Sequence, residues 1–425
     1  MSPPPRTTLL DGWPAWVFAL VGATAGSCAF LLAPKSADSA LAQVWPPFVL
    51  VAGLLLVGWV AAEDGVFQWA GALLSRVTGG GIWLYLGATA LISVVTALLN
   101  LDTSVAFLTP VLMAAARTAS RDHADGRADD LEEPLLYACL LLSNAASLLL
   151  PGSNLTNLIV LGHFHLSGAR FAGRMAPAWA VSIGVTAVVI AIAHGRGDDQ
   201  GAGRGDSRHQ SQRNHDMGRP GLLGTTAVMA VSAVVVLLPS PAVACLAIGS
   251  GAAVFQALSE RWASRGDGHG KGDGHGKGDG GNQDRGNRTR VLEAIGAPIL
   301  IGLLGVALST GTLGRTWSGP AWLLAHLDSW GTAAAAGVLA VLANNLPAAS
   351  VLAARHPPHP FALLVGLDLG PNLFLTGSLS SLLWWQAAKL AGAHPSARRA
   401  SRLGLISVPL AMAGAVGVLT MTGAH

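Results

Sequence analysis

The chain has 425 residues, of which 51% are hydrophobic and only 12% charged, against about 25% charged in an ordinary soluble domain. A water-soluble protein of this size could not cover its surface with so little charge, so a soluble enzyme or scaffold is excluded. With a formal net charge of +3 and Cys28, Cys139 and Cys245 each alone in an apolar segment, neither a nucleic-acid partner, a disulfide framework, a CxxC metal site nor any cofactor is expected.

The apolar segments come in chain order. Residues 13–33 are too long for a cleaved signal, have no basic lead beyond Arg6, and end in Ala-Pro-Lys. Residues 45–62, 82–99, 135–150, 175–193, 221–239 and 403–420 follow. Each approaches the ~20 residues a helix needs to cross a ~30 Å hydrocarbon layer. Residues 66–76, with Phe67, Trp69, Leu73 and Leu74 against Gln68, Ser75 and Arg76, are too short to span and predict a helix lying in the interface.

Charge sits between these segments. The N-terminus, residues 63–80 and the linkers 117–133, 195–219, 260–290 and 389–402 hold every basic residue except Lys35, Arg170, Arg174, Arg315 and Arg355. The positive-inside rule places that set, with the N-terminus, on the cytoplasmic side of a cell (inner) membrane crossed many times. The third linker repeats Asp267-Gly-His-Gly-Lys-Gly as Asp273-Gly-His-Gly-Lys-Gly. Glycine at this density buries no core, so a disordered connector is expected, with His269 and His275 as solvated residues. The organisation is therefore residues 1–80 (N-terminal spans and interfacial helix), 81–194 (a first repeat), 195–290 (a hairpin on Gly- and charge-rich tethers, turning at Pro239-Ser240-Pro241) and 291–425 (a second repeat).

Polar residues interrupt the apolar runs twice in each half. The first half has Asn100-Leu-Asp102-Thr103-Ser104, then Asn144 to Asn157 around Pro151-Gly152-Ser153-Asn154. The second has Asn344-Asn345-Leu346-Pro347, then Asp368-Leu-Gly-Pro371 followed by Thr376-Gly377-Ser378-Leu-Ser-Ser381. Asn100-Leu lines up with Asn345-Leu, and Pro151-Gly-Ser with Thr376-Gly-Ser. In hydrocarbon a broken helix is tolerated only where it lines a cavity or is buried in protein. The freed helix N-termini then point amides at a solute, as in transporters built from structural repeats. The two Asn-tipped apolar pairs read as re-entrant hairpins, and the two Pro/Gly-containing runs as unwound spans.

Asp102 and Asp368 are acids in apolar surroundings. Burying a charged group at depth costs ~2.5–3.5 kcal/mol or more, which makes a functional role the default. Asp102 precedes Thr-Ser-Val and also fits an N-cap. Arg and Lys are absent from all four clusters, which favours a neutral or cationic solute over a dicarboxylate.

These residues carry a resemblance. The runs Asn100 to Pro110, Asn144 to Asn157, Asn344-Asn-Leu-Pro-Ala348, Asp368-Leu-Gly-Pro371 and Gly377-Ser-Leu-Ser-Ser-Leu-Leu-Trp384 look like the arsenical-pump permease branch of the ion-transporter superfamily. That superfamily also holds sodium–dicarboxylate symporters and a class of sodium/proton antiporters. The resemblance implies an all-α polytopic membrane protein of two inverted-topology repeats, each with a re-entrant hairpin and an unwound helix. It implies export of arsenite or antimonite, a small inorganic solute, in exchange for protons. A homodimer in the lipid bilayer is implied, and in some members a separate soluble ATPase partner. The substrate site would be Asn100, Asp102, Thr103, Ser104, Gly152, Ser153, Asn154, Asn344, Asn345, Pro347, Gly377 and Ser378, with Asp102 and then Asp368 carrying the coupling proton or cation. The alternatives are sodium- or proton-coupled transport of a dicarboxylate or other small oxyanion, and sodium/proton antiport. The pattern departs from the permeases at the first tip, where Leu101 separates Asn100 from Asp102.

Overall fold

The computed structural model describes residues 15–76, 81–122, 131–164, 166–195, 220–266 and 296–423. The extreme N-terminus and most of the two long linkers, including the duplicated Asp-Gly-His-Gly-Lys-Gly, lie outside the described residues. Among the described residues all regular structure is helical. The chain opens with α1 (Ala15–Leu32), α2 (Pro34–Glu63) and the short α3 (Val66–Ser75), which begins where Gly65 takes the left-handed conformation (φ 74°). A hairpin follows, α4 (Gly81–Leu98) and α5 (Leu101–Asp122). Next come α6 (Glu132–Ala146), a 3-10 turn (Pro151–Ser153), α7 (Leu155–Leu161) and the long α8 (Gly168–Gly195). The pair α9 (Leu222–Leu237) and α10 (Ala242–Gly266) turns over Pro239-Ser240-Pro241 as the prolines predict.

The second half repeats the order of the first. A long helix α11 (Ala297–Thr316) and a short α12 (Gly319–Ala325) lead to a hairpin, α13 (Ser329–Ala343) and α14 (Asn345–Leu352). Then come α15 (Pro360–Leu369), two 3-10 turns (Gly370–Leu373 and Leu375–Gly377), α16 (Leu379–Leu390) and the long α17 (Ala397–Met421). A helix, α3, stands where the sequence predicts an interfacial one, and both apolar hairpins and both interruptions are present.

Among the described residues six helices, α2, α4, α8, α10, α11 and α17, are long and apolar enough to cross a membrane. The apolar stretches of α1 (Trp16–Leu32), α9 and α13 are shorter. The burial pattern is that of a protein solvated by lipid. Leu31, Leu32, Leu222, Leu342 and Met421 are exposed, while Thr96, Ser143, Asn144, Ser147, Ser153 and Asn157 are fully buried. In hydrocarbon polar groups have to find partners inside the protein, so this inversion is the stable arrangement. The protein is a multi-pass membrane protein.

Small residues set the closest helix approaches. Gly302 of α11 lies on the backbone of α1, where a Cβ would sit 2.5 Å from the Phe18 carbonyl oxygen, and Gly53 of α2 faces Cys245 of α10 in the same way. Without a hydrophobic drive between helices in lipid, this close packing is what associates them. Gly302→Leu is therefore expected to destabilise the protein by about 1–3 kcal/mol or more, read as a fall in the melting temperature of the detergent-solubilised protein.

Candidate functional site

The interruptions supply four helix N-termini, and each is capped by its own side chain. The Oδ1 of Asn100 accepts from the Thr103 amide at the start of α5 (2.6 Å), and that of Asn154 from the Thr156 amide of α7 (3.2 Å). The Oδ1 of Asn344 accepts from the Leu346 amide of α14 (3.4 Å), and the Ser378 hydroxyl from the Ser381 amide of α16 (3.3 Å). Asn and Ser head the N-cap preferences because a short side-chain acceptor reaches an otherwise orphaned amide. At Asn344 the backbone is also strained, with φ 74°, uncommon for a residue other than glycine.

The caps correct the alignment of the halves. Extended residues flank a 3-10 turn in both breaks: Leu150 and Asn154 around Pro151–Ser153, and Phe374 and Ser378 around Leu375–Gly377. Asn154 is thus equivalent to Ser378, and Thr156 to Ser380, where the shared Gly-Ser had set Ser153 against Ser378. Likewise Asn100 matches Asn344 and not Asn345, which begins α14 and is buried. Pro347 occupies the first turn of α14, where its missing amide costs nothing. Asp102 is a first-turn residue of α5 and not its cap, a place that a carboxylate favours because the helix N-terminus is partially positive.

Two hydrogen-bonded groups result, and each crosses between the halves. In the first, the Ser380 hydroxyl of α16 donates to Asp102 Oδ1 of α5 (2.9 Å), so two helix N-termini meet. Asn344 Nδ2 donates to the Thr376 carbonyl (3.4 Å), joining the α14 tip to the same break. Here Asn100 Nδ2 and Thr103 Oγ1 are buried polar atoms without a hydrogen-bond partner. Such atoms are uncommon in folded proteins and mark places for a ligand or water. Ser104 is committed elsewhere: it accepts from the Thr96 hydroxyl (2.7 Å) and lies 3.3 Å from Ser143 Oγ.

The second group surrounds Asp368, which is fully buried at the end of α15. Asn154 Nδ2 (2.9 Å) and the Thr156 hydroxyl (2.8 Å) donate to its Oδ1, and the Ser147 hydroxyl (3.0 Å) donates to its Oδ2. All three donors belong to the first-half break. Beside them Asn144 Nδ2 donates to Asn372 Oδ1 (2.8 Å), and Asn372 Nδ2 donates to the Leu141 carbonyl (2.9 Å). The break itself is held by Ser153, whose hydroxyl donates to the Ser147 and Leu150 carbonyls, and by Asn157, whose Nδ2 reaches the Ser147 carbonyl at 2.7 Å.

Of the residues expected from the sequence, Asn100, Asp102, Thr103, Asn344 and Ser378 fall at the first group, and Asn154 and Asp368 at the second. Ser153 and Gly377 shape the breaks: a Cβ on Gly377 would sit 2.6 Å from the Pro371 Cα. Gly152 packs towards α9, where an added Cβ would meet Val235 at 3.2 Å. Ser147, Thr156, Asn372 and Ser380 were visible as parts of polar runs, but nothing in the one-dimensional pattern showed that Ser147, Thr156 and Ser380 face the acids or that Asn372 pairs with Asn144.

Comparison with known proteins agrees with this architecture. The structure of the YdaH transporter of Alcanivorax borkumensis superposes with a TM-score of 0.52 at 12% identity, covering 96% of this chain and 97% of that one. The likeness is one of fold. A family model described as a citrate transporter (CitMHS) matches residues 8–366. The ion-transporter superfamily of the sequence reading is upheld, and the family model that matches is described as a citrate transporter; it gives no support to the finer assignment to the arsenical pumps. The polar blocks on which that assignment rested correspond to breaks and caps of the helices. With most of its length covered, this chain belongs to the citrate transporter family.

Proposed function

We propose that the protein is a secondary transporter of a small multivalent carboxylate of the citrate class, coupled to protons or sodium. The observation that carries this reading is the pairing of capped helix N-termini with two acids, the partly buried Asp102 and the fully buried Asp368, at joints between the halves. Helix N-termini attract an anion without basic side chains. At the α5 terminus the unpartnered Asn100 Nδ2 and Thr103 Oγ1 supply further hydrogen-bonding atoms for it. The acids repel an anion when ionised, so a proton or cation on them favours its binding. That linkage is coupling: co-ion and substrate stabilise each other's bound state reciprocally. The reading includes a cytoplasmic N-terminus in the inner membrane, inverted halves and a homodimer.

Arsenite or antimonite is the second reading, favoured by one observation. The hydrogen bonds described for both groups involve amides, hydroxyls, carbonyls and the two acids, which suits a neutral trihydroxide as well as an anion. The cysteines offer no thiolate set for trivalent arsenic, since Cys139 and Cys245 are buried in different helices and Cys28 is exposed on α1. A separate ATPase partner belongs to this reading alone.

Uptake of radiolabelled citrate into proteoliposomes, with an imposed proton gradient, a sodium gradient or neither, tests the proposal. Gradient-driven accumulation is the expected result, and the effective gradient names the co-ion. Accumulation of arsenite and not citrate in the same vesicles overturns the carboxylate reading.

A further inference from the structure

At the far ends of α7 and α14, away from their caps, one side chain holds both helices. Gln43 of α2 donates its Nε2 to the Ile159 carbonyl of α7 (2.8 Å) and to the Ala353 carbonyl that ends α14 (2.9 Å). Its Oε1 accepts from Arg315 Nη2 of α11 (2.5 Å), and Arg315 Nη1 donates to the Gly311 carbonyl (3.0 Å). His163 Nε2 lies 2.8 Å from the Ala353 oxygen, and the exposed Arg355 donates from Nη2 to the Arg315 carbonyl (2.9 Å). No carboxylate lies within ion-pairing distance of Arg315 among the described residues.

Helices of two turns end in carbonyls that have no partner within the helix, and an unpaired carbonyl in a largely apolar setting is costly. A cation beside two C-termini is favourable for the same reason, since those ends carry partial negative charge. The Ile159 carbonyl also accepts from the Gly162 amide (3.3 Å), and the remaining acceptor capacity of both ends is met from other helices, by Gln43 of α2 with Arg315 of α11 behind it. At 1.5 Å per residue, α7 and α14 are only about 10–12 Å long. A tilt or slide at the clamped ends is therefore delivered to Asn154 and Asn344 at the other ends.

We propose that Gln43 and Arg315 are positioning residues for the substrate site: they clamp the C-termini of α7 and α14 and thereby fix where the caps of both helices stand. The inference rests on the reading that the capped N-termini bind substrate. Gln43→Glu isolates the clamp, because it preserves side-chain volume and an acceptor for Arg315 but removes the two N–H groups that reach Ile159 and Ala353. The expected results are a lowered melting temperature with the protein still folded at the assay temperature, a KM for citrate raised at least about tenfold with Vmax per folded molecule within about twofold, and faster amide exchange confined to α7 and α14. Arg315→Met is expected to act in the same direction, and the double variant to be less than additive, as for members of one network. Unchanged exchange in α7 and α14, or an unchanged KM despite faster exchange, overturns the proposal. If the wild type takes up no citrate, the substrate reading fails, and the exchange of the two helices decides the clamp independently.

Discussion

Asp368→Asn is expected to yield a folded protein that binds substrate but no longer accumulates it against a gradient. The geometry explains why folding survives. The retained Oδ1 still accepts from Asn154 and Thr156, while the new amide points to the Ser147 oxygen, which is free to accept because its hydroxyl also has the Asn144 carbonyl to donate to (2.8 Å). What disappears is the only group of that cluster able to take up and release a proton or to ligate a cation with a full charge. Counterflow exchange, which needs binding and reorientation but no net coupling, should persist while gradient-driven uptake falls to background. Asp368→Ala differs. It leaves the Asn154 amide and the Thr156 hydroxyl without that acceptor, at about 1–3 kcal/mol for each that finds no new partner, and is expected to lower the melting temperature markedly. If Asp368→Asn accumulates substrate at the wild-type rate, the coupling role passes to Asp102, whose partner Ser380 holds it at the other joint.

The second large effect is expected at a residue that touches neither acid. Gly404 of α17 lies against the second break so closely that a Cβ would overlap the Asn372 carbonyl oxygen and sit 3.2 Å from the Leu373 Cα. Gly404→Val therefore pushes on the one turn whose side chain, Asn372, is tied to Asn144 and to the Leu141 carbonyl across the halves. Overpacking of this kind costs about 1–3 kcal/mol. The displacement of the turn is expected to cut transport per folded molecule by about tenfold or more. Gly417→Ala on the same helix is the control, because its Cβ would meet Trp330 at an ordinary 3.7 Å. Equal uptake by the two variants would show that the packing of α17 does not govern the break.

The sequence made some of this legible and hid the rest for identifiable reasons. Breaks were legible because Pro151, Gly152, Pro371 and Gly377 stand in runs otherwise suited to continuous helix. Caps were legible because Asn100, Asn154, Asn344 and Ser378 are short acceptors at the starts of apolar runs. Pairing was not legible. The acid expected to matter less, Asp368, is the fully enclosed one, since its donors come from a segment more than 200 positions away. Gln43 lies in the apolar helix α2, where a lone amide says nothing of what it reaches. The substrate was not legible either, because the polar blocks report how a helix is broken and capped.

The reach of Asp368 back to Asn154 also bears on how the molecule is made. During synthesis the first-half break enters the bilayer while its acid partner lies 214 residues downstream. At about 5–20 residues per second, that interval is on the order of 10–40 s. Throughout it, the hydroxyl of Thr156 and the amide of Asn154 have no carboxylate to bind. The nascent chain therefore passes through a state with a wet, unsatisfied interruption at membrane depth, in which the insertion machinery or trapped water has to stand in for the missing half.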